Sequence, residues 1–393
     1  MQAYLDNVAG TEIMPEVLNA MMPFLKGSYG NPQSMHAWGD EPRYAIEDAR
    51  EKVATLIGGS AEEVVFTSSG TEANNFAVKG LARAKESKGK HLVVSAIEHF
   101  SVLHSAKTME KLGYEVTLVP VDEHGQVDPD EVARSIRKDT ILVSIMHANS
   151  EVGTLQRIAE ISELIKPTGV VFHTDAIATV GSIPVDVSVL GVDALSLSGN
   201  QFYGPKGVGA LWVRKGVRVI PFLDGGVQEG GRRAGTEDVA GIVGLGKAAE
   251  LAGIDMEARS QHLSGLRDKI IAGLPSRIDH VILTGHPEQR LPGHASFCVE
   301  FIEGEAMLMF LSEEGIAASS GSACTSKALK ASHVLTAMGL APEIAQGSLL
   351  FTLGIANTVG DVDYVLQTFP PIVERLRNMS PLYSKYLKEQ RGR

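Results

Sequence analysis

Cys324 lies in a run of small and hydroxyl residues, IAASSGSACTSK (residues 316–327). This composition is typical of an exposed loop, whereas an unpaired cysteine is usually buried. Lys327 nearby would lower the pKa of the thiol, which favours a reactive or metal-binding thiolate over a plain surface cysteine. Cys298, the other cysteine, lies in the alternating run HASFCVEF and is predicted to be a small buried hydrophobic residue.

A second candidate site is the run FTSSGTEANN (residues 66–75), which places Gly70 and Thr71 between a predicted strand and a predicted helix. Backbone N–H groups at the start of a helix bind phosphate well, and hydroxyl groups add further donors. A helix N-cap with no ligand explains the same residues equally well.

Two further polar residues follow predicted strands. His99 comes just after one strand end, where its ring could stack on a flat ligand, although a lone histidine is more often structural. Asp175 ends a buried strand and therefore needs a partner, which would be a ligand cation, a basic side chain or a helix N-terminus. A structural ion pair is the alternative to ligand binding.

The glycine-rich run GGVQEGGRRAGTE (residues 225–237) carries Arg232, Arg233 and Thr236. These residues could contact an anion within one subunit or across a dimer interface. The alternative is a flexible surface loop.

Short apolar strands alternate with helices and would position these residues. Strands are predicted at 62–67, 91–97, 115–121, 140–147 and 169–176, and helices at 72–85, 100–112, 158–165 and 239–274. Such alternation predicts an α/β fold with a mainly parallel sheet, whose ligands bind beyond the carboxyl ends of the strands. A large domain (17–255) and a smaller α+β domain (1–16 and 256–393) are expected.

Composition limits the function classes. The 393 residues are 44% hydrophobic, enough for a large core, and the formal net charge of −11 argues against nucleic acid or an anionic membrane as a partner. No apolar run reaches the ~18 residues that a membrane span needs. The first residues, MQAYLDNVAG, lack a signal-peptide pattern, so a cytoplasmic protein is expected.

In this order the motifs YLDN, GNPQSMH, FTSSGTEANN, MHANSEVGT, TDA, YGPKGVGALWVR, RRAGTE and GSACTS resemble the cysteine desulfurases. These are pyridoxal-phosphate (PLP) enzymes of the class V aminotransferase fold (fold type I), and the short cysteine segment is similar to the branch that assembles iron–sulfur clusters.

The resemblance implies roles for individual residues. His99 matches the ring-stacking histidine, and Asp175 matches the aspartate that pairs with the pyridinium nitrogen. Cys324 matches the nucleophile that takes sulfur from bound cysteine as a persulfide. The positions that match phosphate contacts are Gly70, Thr71 and Ser198, together with Thr236 from the other subunit of a homodimer.

The loop at residues 198–207 departs from the family. Its sequence SGNQFYGPKG stands where the family has S-[GA]-H-K-[IF]-Y-G-P-K-G, so Asn200 replaces a histidine and Gln201 replaces the Schiff-base lysine. A glutamine cannot form an imine and cannot shuttle a proton as an amine does. Lys206 matches the second lysine of the family pattern and is not expected to replace the Schiff-base lysine.

Three more positions depart from the family. Ser150 replaces an asparagine near the phenolic oxygen of PLP, and Ala178 replaces a glutamine near the same oxygen. Ile355 replaces the arginine that holds the substrate carboxylate, which removes a bidentate anchor.

These departures predict a degenerate desulfurase-like protein that docks a small scaffold protein in iron–sulfur cluster assembly. Cys324 would carry a persulfide formed from free sulfide, or it would be a ligand of the nascent cluster. The alternatives are an active desulfurase that holds PLP non-covalently and, with less support, a different PLP enzyme.

Overall fold

A computed structural model describes residues 2–321 and 331–391. Its central sheet has seven strands in the order β2-β8-β7-β6-β5-β3-β4, and β8 alone among them runs antiparallel to its neighbours. The strands of this sheet are β2 (Val64–Thr67), β3 (His91–Ser95), β4 (Glu115–Val119), β5 (Thr140–Ser144), β6 (Val171–Asp175), β7 (Ala194–Ser198) and β8 (Gly209–Val213). The predicted mainly parallel α/β sheet is confirmed.

Helices cover both faces of this sheet, which is why six of its strands are buried along their whole length. The helices of the described chain are α1 (Pro15–Lys26), α2 (Ala37–Leu56), α3 (Gly70–Asn75), α4 (Leu81–Ala84), α5 (Phe100–Lys111), α6 (Pro129–Arg134), α7 (Ile158–Ile165), α8 (Val187–Leu190), α9 (Val239–Gly273), α10 (Gly304–Glu313), α11 (His333–Ala337), α12 (Pro342–Ala345), α13 (Val359–Met379) and α14 (Pro381–Arg391). None of them has the length and apolar character that crossing a membrane requires.

A smaller antiparallel sheet has the order β12-β10-β9, and a two-stranded parallel pair joins β1 to β11. These strands are β1 (Ala3–Tyr4), β9 (Val281–Leu283), β10 (His294–Val299), β11 (Ile316–Ala317) and β12 (Ser348–Thr352). Cys298 lies on β10 and is buried as predicted, and burial raises its pKa to about 12.

The long helix α9 contributes to two separate hydrophobic cores. Its first half, from Ala240 to Ala252, packs into the core that lies against the seven-stranded sheet. Its second half, from Leu263 onward, packs with β1, β10, β12 and α13 in another core. Residues near the N-terminus therefore share a core with the last third of the chain, and the domain boundaries given above stay a prediction.

The predicted strands are longer than the observed ones mainly at their carboxyl ends. The strand expected at 140–147 ends at Ser144, and the strand expected at 91–97 ends at Ser95. In both cases the buried residues continue past the end of the strand into a loop that lines a cavity. The buried apolar run is therefore longer than the strand.

Candidate functional site

A cavity of about 420 Å³ lies beyond the carboxyl ends of β2, β3, β5, β6 and β7. Residues on five separate segments reach it because parallel strands end at the same edge of the sheet. The predicted site residues that line it are Gly70, Thr71, His99, Asp175 and Ser198, together with the altered positions Ser150, Ala178, Asn200 and Gln201. Thr236 and Ile355 are not among its lining residues, and Cys324 lies outside the described residues.

Asp175 is held by neutral hydrogen-bond donors. Its Oδ2 accepts from Asn74 Nδ2 at 2.6 Å, and its Oδ1 accepts from the backbone N–H of Ile177 at 3.0 Å. Burial raises the pKa of this carboxyl group, and its partners only partly oppose that rise. No basic side chain of the described chain forms an ion pair with Asp175, so the structural ion pair considered above is not observed.

His99 has a structural role at the start of α5 as well as a place on the cavity wall. Its Nδ1 accepts from the backbone N–H of Ser101 at 3.1 Å and lies 2.7 Å from the Ser101 hydroxyl. The same hydroxyl accepts from Asn74, which connects His99 to Asp175 through two neutral side chains. The histidine therefore caps a helix whether or not a ring stacks on it.

The start of α3 shows that packing alone explains its glycine. A Cβ on Gly70 would lie 2.3 Å from Ile177 Cδ1, so the close approach here is that of a neighbouring side chain. Ser69 caps the helix by accepting from the backbone N–H of Glu72 at 3.1 Å. Both interpretations of this motif, helix cap and phosphate site, are compatible with the geometry.

The turn after β7 is closed by its own neutral side chains. Ser198 donates its hydroxyl to Asn200 Oδ1 at 2.7 Å, and Gln201 Nε2 donates to the carbonyl of Val8 at 2.9 Å. The carbonyl of Asn200 accepts from both the N–H and the hydroxyl of Thr11. The side chain of Gln201 and the backbone carbonyl of Asn200 thus join the turn to the N-terminal segment.

Lys206 and Ile355 are not among the residues that line this cavity. Lys206 is exposed, with its Cε beside Gly10, and that it does not replace the lysine stays a prediction. Ile355 donates its backbone N–H to Tyr203 Oη at 2.9 Å. Tyr203 is held at a φ of 68°, a left-handed backbone rarely adopted by aromatic residues.

The segment that carries Thr236 is fixed to the sheet by ion pairs. Arg50 binds the buried Glu229 through two nitrogens at 2.7 and 2.9 Å, and Glu229 also accepts from the N–H of Phe66. Arg233 pairs with Glu72 at 2.9 Å, so the side chain predicted to contact an anion already has a carboxylate partner. Thr236 is exposed beside a separate surface cleft.

Four carboxyl groups line the main cavity, and sequence reasoning identified only Asp175 among them. The others are Asp6, Glu98 and Glu151. Burial raises the pKa of Glu98 to about 8 and that of Glu151 to about 7. No lysine, arginine or cysteine lines the cavity among the described residues, so no lysine or arginine there can pair with a bound anion.

Glu98 and Glu151 each have one oxygen that is buried without a partner in the described chain. Glu98 uses its other oxygen to accept from Ser95 and from the N–H of Met146. Glu98 directly precedes His99 in the sequence, and that adjacency was the one signal that could have found it. No cluster of three or more potential metal ligands occurs in the described part of the chain.

Described residues on both sides of the segment that contains Cys324 line the cavity. Ser320 and Gly321, which precede it, and His333, which follows it, all line the cavity. Ser332 donates its hydroxyl to Glu151 Oε2 at 2.8 Å. Both flanks of residues 322–330 therefore lie beside the candidate site.

Comparison with known proteins gives the family. Residues 3–365 match the family described as aminotransferase class-V. A cysteine desulfurase IscS of Dictyoglomus turgidum is 50% identical over 380 residues, which cover 97% of this chain and 96% of the relative. A cysteine desulfurase IscS of Methanosarcina thermophila is 51% identical over 382 residues, which cover 97% of this chain and 94% of the relative. The chain belongs to the cysteine desulfurase family.

Solved structures agree with this assignment. A NifS-like protein that is 38% identical superposes with a TM-score of 0.90 and covers 96% of this desulfurase-family chain and 100% of its own. A NifS-like protein from Rickettsia africae is 30% identical, with a TM-score of 0.86 over 95% of this chain and 100% of that one.

The cysteine desulfurase family is PLP-dependent, and the described residues fit only part of that cofactor. The buried Asp175 carboxylate would gain a cationic partner from a protonated pyridine ring, and the start of α3 would accept a phosphate. The cavity volume also lies in the range of small-molecule sites. The residue at the imine position is Gln201, so the lining does not fit the covalent attachment of the cofactor.

Proposed function

We propose that this member of the cysteine desulfurase family has little or no desulfurase activity and acts in iron–sulfur cluster assembly through Cys324. The observation that carries the proposal is the turn after β7, where Gln201 occupies the lysine position and is bonded to Val8. An amide cannot form the imine through which a lysine holds PLP and cannot act as the amine base.

The charge around the cavity supports the same proposal. An amino-acid substrate brings a carboxylate, which desulfurases of this family hold with an arginine. Here that position is Ile355, and the described lining contains four carboxyl groups and no arginine. A substrate carboxylate in this cavity would therefore lose its water without gaining a bidentate arginine contact.

Cys324 would then serve a scaffold protein rather than a substrate bound to PLP. As a thiolate it would complete the coordination of a cluster held by cysteines of the scaffold, or it would carry a persulfide. Ligation requires no change in oxidation state, whereas making a persulfide from free sulfide removes two electrons and needs an acceptor for them. The ligand role is therefore the simpler of the two.

We further propose that the protein is a homodimer. Gln33 Nε2 donates to Glu237 Oε1 at 2.8 Å, which places the loop before α2 beside the segment that carries Thr236. Met35 on that loop and Trp38 in the first turn of α2 are strongly exposed, and exposed apolar clusters commonly mark an interface. Such an interface would bring Thr236 to the cavity of the other subunit, and sedimentation of the purified protein tests it.

Copurification and cluster assembly test the role of Cys324. Tagged protein should bring down a small cysteine-containing scaffold, and Cys324→Ala should abolish cluster formation on that scaffold. The matched control is Cys298→Ala, which removes the buried cysteine and should leave cluster formation intact. A protein that captures no scaffold, with cluster assembly equal for Cys324→Ala and the wild type, would contradict the proposal.

The second candidate function is an active cysteine desulfurase that holds PLP without a covalent bond. It is favoured by the retained Asp175 and His99 and by the relatives named cysteine desulfurase IscS. Alanine and sulfide release from L-cysteine in the presence of PLP would support it. Binding of nucleic acid or of a membrane is not proposed, and a cytoplasmic location stays a prediction from the sequence.

A further inference from the structure

A second, smaller cavity lies next to the main one. It measures about 40 Å³ and shares Val8, Ala178 and Gln201 with the lining of the main cavity. We call it the Arg259 chamber, after the arginine of α9 that lines it. The glutamine at the family's lysine position thus forms part of the wall between two spaces.

Arg259 is buried without a full set of hydrogen bonds. The residue is 7% exposed, and its Nη1 has no hydrogen-bond acceptor in the described chain. Nη2 lies 3.6 Å from the sulfur of Met14, a weak acceptor. Nε lies 2.5 Å from Asp255 Oδ1, and that carboxylate is 47% exposed, so water screens part of the pairing.

A buried guanidinium with an unpaired donor destabilises the folded state unless another group accepts its hydrogen bond. An unpaired donor on a buried charged group has lost its hydrogen bonds to water without gaining an acceptor, which destabilises the fold. Most buried polar groups in folded proteins have a partner, which is often an ordered water or ion. Nη1 of Arg259 therefore indicates an occupant of the chamber that the protein alone does not supply.

Other groups on the chamber wall are also suited to an anion. Tyr203 stacks under the guanidinium at 5.4 Å, and its oxygen accepts from Ile355 N–H, which leaves its own proton to donate. His294 has a buried Nε2 with no partner in the described chain. Burial and the nearby Arg290 lower the pKa of His294 to about 3, so its ring is neutral.

We propose that the Arg259 chamber binds a small monovalent anion of the size of chloride or hydrosulfide. One water-sized probe takes ~10–15 Å³, so the volume holds on the order of three and excludes an amino acid or a phosphate ester. The main cavity has no lysine or arginine among its described lining residues, whereas the chamber behind Gln201 presents the guanidinium group of Arg259. Neither the family's phosphate contacts nor its substrate arginine lies in this chamber.

Bromide is the probe that tests the chamber. Crystals of the full-length protein soaked in sodium bromide should show one anomalous peak within hydrogen-bond distance of Arg259 Nη1. Arg259→Gln should lose that peak, and Arg259→Lys, which keeps the charge with fewer donors, should keep it at reduced occupancy. The control Arg157→Gln, on a surface arginine paired with Glu160, should leave the peak unchanged.

A solution measurement covers the case in which Arg259→Gln does not crystallise. Bromide should raise the unfolding midpoint of the wild type saturably, and the concentration needed should rise at least tenfold in the Arg259→Lys variant. A chamber that shows only water at saturating bromide, or a peak that persists in Arg259→Gln, would overturn the proposal. Cys324 is unchanged in these variants, so that failure would not bear on its role.

Competition with sulfide identifies the natural ligand. Anaerobic sodium sulfide that displaces the bromide peak would assign the chamber to hydrosulfide and would place a sulfur source beside the main cavity. A peak that survives excess sulfide would assign the chamber to a halide. Either result supports the site and names its ligand.

Discussion

Two walls of the main cavity differ in what they have kept from the family. The Asp175 wall, made of Glu98, His99 and Asp175 with the hydrogen-bond partner Asn74, matches the cysteine desulfurases at His99 and Asp175. The Gln201 turn, made of Ser198, Asn200 and Gln201, has lost both the histidine and the lysine. Both are nevertheless closed hydrogen-bonded structures. Retention of one wall therefore does not prove a bound cofactor, because its residues are also needed by the fold.

The largest effect should come from returning a lysine to the Gln201 turn. Gln201→Lys with added PLP should give a covalent adduct after borohydride reduction, detected as a mass increase on the peptide containing residue 201. The wild type and the control Gln201→Met should give none. Adding Ile355→Arg should raise any desulfurase turnover of the lysine variant by about 10–100-fold, since a charge-assisted contact is worth about 1.5–3 kcal/mol.

An adduct in the wild type would show that another lysine reaches the cofactor. In that case the Gln201 turn would not mark a lost function, because a different lysine would form the imine.

The pH dependence of stability should reveal Glu98 on the Asp175 wall. Burial raises its pKa from 4.5 to about 8, with Asp175 adding to that rise, so between these values the folded state holds a proton that the unfolded state has lost. Its stabilising contribution is complete below pH 4.5 and falls by about 1.4 kcal/mol per pH unit until about pH 8.

Urea unfolding of the wild type and of Glu98→Gln from pH 5 to pH 8 measures this contribution. The variant should lose less stability as the pH rises, and the control Glu123→Gln, on a highly exposed carboxylate, should follow the wild type. Equal slopes for Glu98→Gln and the wild type would mean that Glu98 is already ionised at low pH.

Asn74 should matter to stability because it is the side-chain partner of Asp175. Asn74→Ala removes the donors to Asp175 and Ser101 and should lower the free energy of unfolding by about 1–3 kcal/mol. The double variant Asn74→Ala with Asp175→Ala should recover part of that loss, because the carboxyl left without its partner is gone. Additive losses in urea unfolding would show that the two side chains do not act together.

The smallest effect should come from Gln201→Ala. It removes one hydrogen bond, to Val8, from a half-buried position and should cost about 0.5–1.5 kcal/mol. Urea unfolding beside Asn74→Ala makes the comparison directly. A loss larger than that of Asn74→Ala would show that the glutamine, rather than the Asp175 wall, is what holds this region together.

Site residues at the ends of strands could be predicted from the sequence alone. Asp175 and Ser198 were predictable because each ends a buried strand, and parallel strands bring such ends together. Gly70 was also found, although the atom that approaches it closely belongs to Ile177, and no local pattern announces a contact with a residue so distant in the chain.

Other residues of the site carried no such signal. Asn74 lies in a helix that the sequence predicts without assigning this residue a role. Its partner Asp175 is 101 positions away in the chain. Arg259 lies on the long helix α9, where a charged residue normally indicates a solvated face. Its burial depends on Tyr203 and Met14 from remote segments, so only the fold reveals it.

Alanine formation from L-cysteine is the measurement that tests the central claim most directly. Purified wild-type protein at high concentration, incubated with PLP and a reductant, should release no more alanine than free PLP does. Sustained alanine release that disappears in Cys324→Ala would contradict the claim, because it would require a complete desulfurase site despite Gln201 and Ile355.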